Sequence, residues 1–197
     1  MAYLFLDTSR GFNFGLLSDE YDWIEFKKLE VKKTSQIIHK EIHSLLESHN
    51  LDIKSLSGVF ILSGPGSYTG MRVAEGVAQI FELEGITIFS FTTFSLAELL
   101  DIENPIYIYE AFKGELFLWS KDGGERLVAK ASFSQEGEGD SFVTHGARLV
   151  AEVECLDLLD FVQTQPVKIF KYVKSQKLRE RPFYFRPLEV EFKKSTK

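Results

Sequence analysis

The sequence predicts a mixed α/β fold in two lobes, in which a hairpin and parallel crossovers share one sheet. The first hundred residues read strand-strand-strand-helix-strand-helix-strand-helix, an order that combines an antiparallel hairpin with helical crossovers. A glycine-rich loop at residues 63–72 follows a buried strand and precedes an amphipathic helix. The pair Asn104-Pro105 marks a boundary, so we expect an N-terminal lobe over residues 1–104 and a shorter C-terminal lobe over 105–197.

The elements of the N-terminal lobe follow from short apolar runs and from helical periodicity. Strands are predicted where apolar and aromatic residues cluster, at residues 2–7, 12–17, 24–31, 58–62 and 86–91. Helices are predicted at residues 34–49, 69–84 and 95–100, with Thr34 and Ser35 as candidate N-caps of the first. In that helix Ile38, Ile42, Leu45 and Leu46 form one apolar stripe.

The C-terminal lobe has fewer predicted elements. Strands are expected at residues 106–109, 115–120 and 142–144, a loop at 134–141 and a short helix at 152–162. Residues 168–197 carry ten Lys and Arg against three acids. A solvated basic tail is the first interpretation of this charge, and a contact with an RNA backbone or an acidic partner is the second.

Composition limits the classes of function. The chain has 197 residues, of which 44% are hydrophobic and 26% charged, and its apolar runs are too short to span a membrane. The net charge of −6 disfavours nucleic-acid binding by this chain alone. The single cysteine, Cys155, excludes an internal disulfide and fits a reducing cytoplasm.

The glycine-rich loop is the most specific motif of the chain, and it contains Gly64, Pro65, Gly66, Ser67, Tyr68, Thr69 and Gly70. No Lys-Ser or Lys-Thr follows its last glycine, so it is not a Walker loop, and its spacing misses the dinucleotide fingerprint by one position. Two interpretations of its chemistry stay open. It is either a tightly turned structural loop or a cradle for an anion at a helix N-terminus.

The run GPGSYTGMRV resembles the GPGSFTGLRIG signature of the bacterial TsaB (YeaZ-like) proteins. Four further segments agree with that family in order and spacing, at residues 4–9, 91–97, 114–117 and 182–186. The resemblance implies an actin/hexokinase/Hsp70-like (ASKHA) two-lobe fold with mixed sheets. The predicted element order fits half of such a molecule, although the order alone also fits other α/β sheets, and the second lobe of this chain is short for the family. The resemblance further implies a non-catalytic partner of the TsaD-type transferase that makes threonylcarbamoyladenosine in tRNA.

The resemblance also implies the partners and the interface. The chain would form a heterodimer with the transferase, help to recruit a TsaE-type ATPase and meet tRNA only through the complex, while ATP and metal are bound by the partner subunits. Without its partner it could pair with a second copy of itself. The interface is expected on the first two long helices, at Ile38, Ile42, Leu45, Leu46, Met71, Arg72, Glu75 and Gln79. Glu75 departs from the family, which usually has an aliphatic residue there.

A second hypothesis is a small ATP-dependent phosphotransferase of the same fold. It rests on a vestigial nucleotide site at Asp7, Thr8, Ser9, Glu110 and Gly146. Kinases of this fold pair two aspartates around the metal, whereas here the second position holds the longer Glu110, so no metal site is predicted.

Three other groups of residues have simpler explanations. His39 and His43 have the spacing of a zinc pair but flank an apolar stripe, so we interpret them as surface or interface residues. Ser67 lacks the G-x-S-x-G elbow, and no Ser-His-Asp arrangement is identifiable. Glu136, Glu138 and Asp140 are interpreted as solubilising loop residues.

Overall fold

The computed structural model describes residues 1–31, 33–111, 114–133 and 141–184. The strands are β1 Ala2–Asp7, β2 Phe12–Leu17, β3 Trp23–Leu29, β4 Leu56–Leu62, β5 Ile88–Phe91, β6 Pro105–Glu110, β7 Glu115–Ser120, β8 Gly124–Ala129, β9 Ser141–Thr144, β10 Leu149–Val150, β11 Val153–Glu154 and β12 Leu156–Asp157. The helices are α1 Ile38–Ser48, α2 Tyr68–Leu83, α3 Thr93–Leu99, α4 Leu158–Thr164 and α5 Pro166–Ser175.

The first sheet confirms the predicted mixture of hairpin and crossovers. Its strand order is β3-β2-β1-β4-β5. β1 pairs antiparallel with β2 and parallel with β4, and β4 pairs parallel with β5. The two connections between parallel neighbours in this half carry α1 and α2, as the element order predicts.

The second sheet is also five-stranded and mixed, with the order β12-β9-β6-β7-β8. β6 pairs antiparallel with β7 and parallel with β9. A hairpin of β10 and β11 packs at the outer side of this sheet, where Val150 and Val153 join the cluster formed by Ile108 and Leu116.

Apolar clusters cover both sides of the first sheet. One side of the first sheet packs against α1 and α2, with Leu4, Phe14 and Ile61 at its centre. The other side packs against α3, α4, α5 and the inner face of the second sheet. The ring centroids of Phe60 and Phe170 lie 4.8 Å apart in this layer. The two lobes therefore share one continuous core.

The structure corrects four details of the predicted elements. Residues 152–162 are two short strands followed by α4, not one helix, and β8 was not predicted at all. Neither Thr34 nor Ser35 caps α1, because both lie in a 3-10 turn and the N-cap is Ile37. The first part of the supposed basic tail is α5, which buries Ile169, Phe170 and Val173.

The chain then returns to the first sheet through residues 178–183, which we call the strap. Ser90 of β5 donates its N–H to the carbonyl of Leu178 and accepts the N–H of Glu180. The N–H of Phe183 bonds the carbonyl of Ser63. The Glu180 carboxylate binds at the start of α3, where it accepts hydrogen bonds from the Thr92 N–H at 2.9 Å and the Ser95 hydroxyl at 2.9 Å. The strap thus fastens the end of the described chain to the edge of the first sheet.

Over the described ranges, no helix combines the length and the apolar character that crossing a membrane requires.

Candidate functional site

A cleft of about 640 Å³ opens between the glycine-rich loop and the second sheet. Its size is that of a small-molecule pocket. It is bounded by the turn after β1, the glycine-rich loop with the start of α2, and the end of β6. The lining residues are Ser9, Arg10, Gly11, Pro65, Gly66, Ser67, Tyr68, Thr69, Tyr109, Glu110, Ala111, His145 and Tyr184.

The glycines of the loop are explained by close packing against the β1 turn. A Cβ at Gly66 would lie 2.5 Å from Cβ of Ser9, and a Cβ at Gly70 would lie 2.0 Å from the carbonyl oxygen of Thr8. The N–H of Ser67 donates to the carbonyl of Ser9 at 2.7 Å, and the Thr8 hydroxyl donates to the carbonyl of Gly70 at 2.7 Å. Of the two interpretations of the loop, these contacts favour the structural one.

The loop is also fixed at both of its ends. Gly64 has φ +102°, a conformation that side chains disfavour, and its peptide bond to Pro65 is cis. The carbonyl of Gly64 accepts the N–H of Thr93, which ties the loop to α3. Ser67 caps α2 by accepting the N–H of Gly70 at 3.2 Å. The start of α2 therefore has one defined position at the cleft wall.

Asp7 is fully buried at the end of β1, and both of its carboxylate oxygens are occupied. Oδ1 accepts the backbone N–H of Ser9 at 2.8 Å and its hydroxyl at 2.6 Å. Oδ2 lies 2.8 Å from the Asn13 amide nitrogen and 2.7 Å from Nε2 of His145. His145 comes from the end of β9 and is also buried, so this pair joins the two lobes through their core.

The same contacts set the protonation of Asp7. Burial by itself raises the pKa of this carboxyl, but the attraction of His145 and the hydrogen bonds from His145, Ser9 and Asn13 together outweigh it. The pKa of Asp7 therefore lies below its ordinary value. The carboxylate is charged at neutral pH and is held by groups of its own chain.

The hydrogen-bonded chain of Ser9, Asp7 and His145 differs in its order from a catalytic triad. In a Ser-His-Asp triad the histidine lies between the serine and the aspartate, but here Asp7 lies between Ser9 and His145. Nδ1 of His145 has no hydrogen-bond partner among the residues that the structure describes. The arrangement is therefore not a Ser-His-Asp triad.

The other members of the predicted nucleotide site also have internal roles. The Glu110 carboxylate is exposed and lies 2.7 Å from Nζ of Lys130, and this hydrogen bond lowers its pKa. The N–H of Gly146 donates to Asp157 at 2.7 Å. Ser9 and Glu110 do line the same cleft. Asp7 and Thr8 are buried behind it in the packing just described.

The predicted interface residues divide into two groups, and one group needs correction. Ile38, Ile42, Leu45, Leu46 and Met71 are at most 4% exposed. The first four pack in the cluster of the first sheet, whereas the Met71 sulfur lies beside Gly64 of the glycine-rich loop. All five are core residues, so their side chains are not available to a partner. The apolar stripe of each amphipathic helix is the side that its own sheet buries.

The outward side of α2 carries the second group. Arg72 and Gln79 are exposed, and Glu75 is partly exposed. Sequence reasoning missed three further residues of this side, which are Gly76, Ile80 and Leu83; the two apolar ones are 54% and 87% exposed. We define the docking face of α2 as Arg72, Gly76, Gln79, Ile80 and Leu83. The sequence indicates this face by Ile80 and Leu83, two apolar residues that lie outside the apolar stripe by which α2 packs on its own sheet.

Glu75 has a partner within the chain. Its carboxylate accepts two hydrogen bonds from Arg179 of the strap, at 2.8 and 3.1 Å. Glu75, which differs from the aliphatic residue usual in the resembled family, is therefore paired with Arg179 of the same chain.

The remaining candidates do not form a site. His39 and His43 are exposed on α1. Within the described ranges, no group of three His, Cys, Asp or Glu side chains could hold a metal ion. Glu136, Glu138 and Asp140, like the end of the basic segment after residue 184, lie outside the described residues.

No protein-family model matches the chain. Its fold is similar to that of a solved structure described as an uncharacterized protein with similarity to peptidase YeaZ from Pseudomonas aeruginosa. The TM-score is 0.59 at 16% identity, over 94% of this chain and 99% of that one. It is also similar to YeaZ from Pseudomonas aeruginosa, with a TM-score of 0.51 at 15% identity, over 93% and 82%. The chain has a YeaZ-like fold, and the predicted actin/hexokinase/Hsp70-like fold class is confirmed.

Proposed function

We propose that this chain is a non-catalytic partner protein that docks onto a TsaD-type transferase in the threonylcarbamoyladenosine modification of tRNA. In this proposal its contribution is an interface free energy that orders the transferase site and helps to recruit a TsaE-type ATPase. The chain itself contacts tRNA only within the complex, and ATP and metal are bound by the other subunits.

The state of Asp7 is the observation that carries the non-catalytic part of the proposal. A phosphotransferase of this fold needs this carboxylate to hold a metal-bound water. Here both oxygens are engaged by Ser9, Asn13 and His145, and Asp7 itself has no exposed surface. Freeing the carboxylate for a metal would require breaking several buried hydrogen bonds at once, which is costly.

The docking face of α2 supports the partner part of the proposal. Gly76 lies in the middle of this helix, where glycine is less favourable than alanine by about 1 kcal/mol, and a Cβ there would have no neighbour within 4 Å. The chain's own packing therefore does not require this glycine. Beside it, Leu83 and Ile80 expose apolar surface. A partner helix that approaches closely at Gly76 would bury both side chains.

The experiment that tests the proposal compares two exposed leucines. Leu83→Asp changes the docking face, whereas Leu149→Asp changes a leucine of the second lobe that is 61% exposed. We expect the first variant to abolish co-elution with the transferase and the second to leave it unchanged, with both folded by circular dichroism. Equal co-elution of both variants would remove α2 from the interface.

The phosphotransferase remains the second candidate, because the cleft has the volume of a ligand pocket and contains Arg10 and the start of α2. It predicts magnesium-dependent nucleotide binding by the isolated chain. On the proposed function we expect no binding heat when millimolar Mg-ATP is titrated into the chain in a calorimeter. A saturable heat that is lost in Asp7→Asn would instead establish a nucleotide site.

A further inference from the structure

Two acids of α2 lie at the border of the docking face and share one cation. Glu75 and Glu82 are seven residues apart, so they lie on the same side of the helix. Nη1 and Nη2 of Arg179 donate to the two oxygens of Glu75 at 3.1 and 2.8 Å. Nε of Arg179 donates to Glu82 at 3.0 Å, and Nη1 also lies 3.2 Å from the Ser90 hydroxyl.

This contact has the geometry of a strong ion pair. The guanidinium forks onto both oxygens of Glu75, which is the bidentate arrangement that strengthens charge-assisted hydrogen bonds. The Glu75 side chain is 22% exposed and that of Arg179 is 31% exposed, so the pair is already partly withdrawn from water. Ser90 and the strap hydrogen bonds fix the position of Arg179.

The pair changes the charge of the docking face. Arg72 and Arg179 contribute two positive charges, and Glu75 and Glu82 contribute two negative ones, so the face with its border is neutral. Without Arg179 the same surface would carry one net negative charge. Its central residues would then be flanked by an unpaired carboxylate at Glu75.

We infer that Arg179 is an internal counter-ion that allows the docking face of α2 to be buried against an uncharged, apolar helix surface of the partner. Burying an unpaired carboxylate is strongly unfavourable, whereas a carboxylate already held by an arginine fork can be covered at a much lower cost. The partner then needs no cation opposite Glu75. This inference rests on the proposed function, and it adds the chemistry of the surface that the chain recognises.

The test is a set of dissociation constants for the transferase, measured by calorimetry on the full-length chain. Arg179→Ala leaves Glu75 unpaired and is expected to weaken binding by roughly 30-fold or more, the loss typical of removing one partner of a buried charge pair. The double variant Glu75→Gln/Arg179→Ala restores neutrality and is expected to bind within about threefold of the unmodified chain. Arg181→Ala removes an exposed cation of the same strap and serves as the matched control.

The double variant separates electrostatics from the fastening of the strap, because it lacks Arg179 as well. If Arg179→Ala and the double variant are equally weak, the role of Arg179 is to hold the strap and the inference is wrong. If the unmodified chain binds the transferase and Arg179→Ala binds it equally well, the counter-ion role is wrong but the proposed function stands. An unmodified chain that does not bind the transferase would overturn the proposed function and this inference together.

Discussion

Two glycines of α2 provide a sharp test of how the glycine-rich loop is built. Gly70 faces the β1 turn, and an added Cβ would lie 2.0 Å from the carbonyl oxygen of Thr8 and 3.0 Å from its carbon. Both are backbone atoms, so the overlap cannot be relieved by rotating a side chain. Gly70→Ala must therefore push α2 and the β1 turn apart and disrupt the 2.7 Å hydrogen bond from the Thr8 hydroxyl to the carbonyl of residue 70.

The size of the effect follows from three contributions. Overpacking a close contact costs about 1–3 kcal/mol. Loss of the buried hydrogen bond costs about 1 kcal/mol. The better helix propensity of alanine returns less than about 1 kcal/mol. We expect Gly70→Ala to lower the free energy of unfolding by about 1–4 kcal/mol.

The assay is urea denaturation followed by circular dichroism, with Gly76→Ala as the matched control on the same helix. A Cβ at Gly76 meets nothing within 4 Å, so this variant is expected to raise the free energy of unfolding by about 0.5–1 kcal/mol. On the proposed function it should also weaken binding of the transferase, since the added methyl group lies in the docking face. Similar changes in stability for the two variants would refute the packing explanation of the loop.

Two further predictions concern the core and the buried carboxylate. Leu45→Ala should lower the free energy of unfolding by about 2–5 kcal/mol in urea, because this side chain is fully buried, and the exposed Ser44→Ala is its control. The pKa of Asp7 in the folded chain lies below its ordinary value of 3.8, so the ionised carboxylate should stabilise the fold above about pH 4. This stability should be lost as the pH falls through the pKa of Asp7 in the folded state. Between pH 7 and pH 3, urea denaturation should therefore show a smaller loss of stability in Asp7→Asn than in the unmodified chain. If the free energy of unfolding depends on pH identically in the two proteins, the lowered pKa of Asp7 is contradicted.

Periodicity and turn chemistry were sufficient to predict most of the first sheet. Its strands carry compact apolar runs, such as residues 58–62, and the glycines of the loop mark the change from strand to helix. β8 was missed because it is an edge strand whose residues are nearly all exposed, and its apolar residues are confined to the last three positions, after Gly124, Glu125 and Arg126. α5 was missed because its lysines dominated the interpretation, although Pro166 at the first helical position and the spacing of Ile169, Phe170 and Val173 indicate a helix.

The candidate site was less predictable, because its key contacts join residues far apart in sequence. Asp7 and His145 are separated by 138 positions, and no local pattern connects them. The same is true of Glu75 and Arg179, which are 104 positions apart. The burial of four predicted interface residues has a different reason. An apolar stripe indicates only that a helix face is buried, and here the chain's own sheet buries the stripe of Ile38, Ile42, Leu45 and Leu46.

Light scattering on the chain alone and mixed with the TsaD-type transferase of the same genome tests the central claim most directly. We expect a stable 1:1 complex that replaces any homodimer of the chain. Scattering masses in the mixture equal to those of the two separate proteins would contradict the partner role.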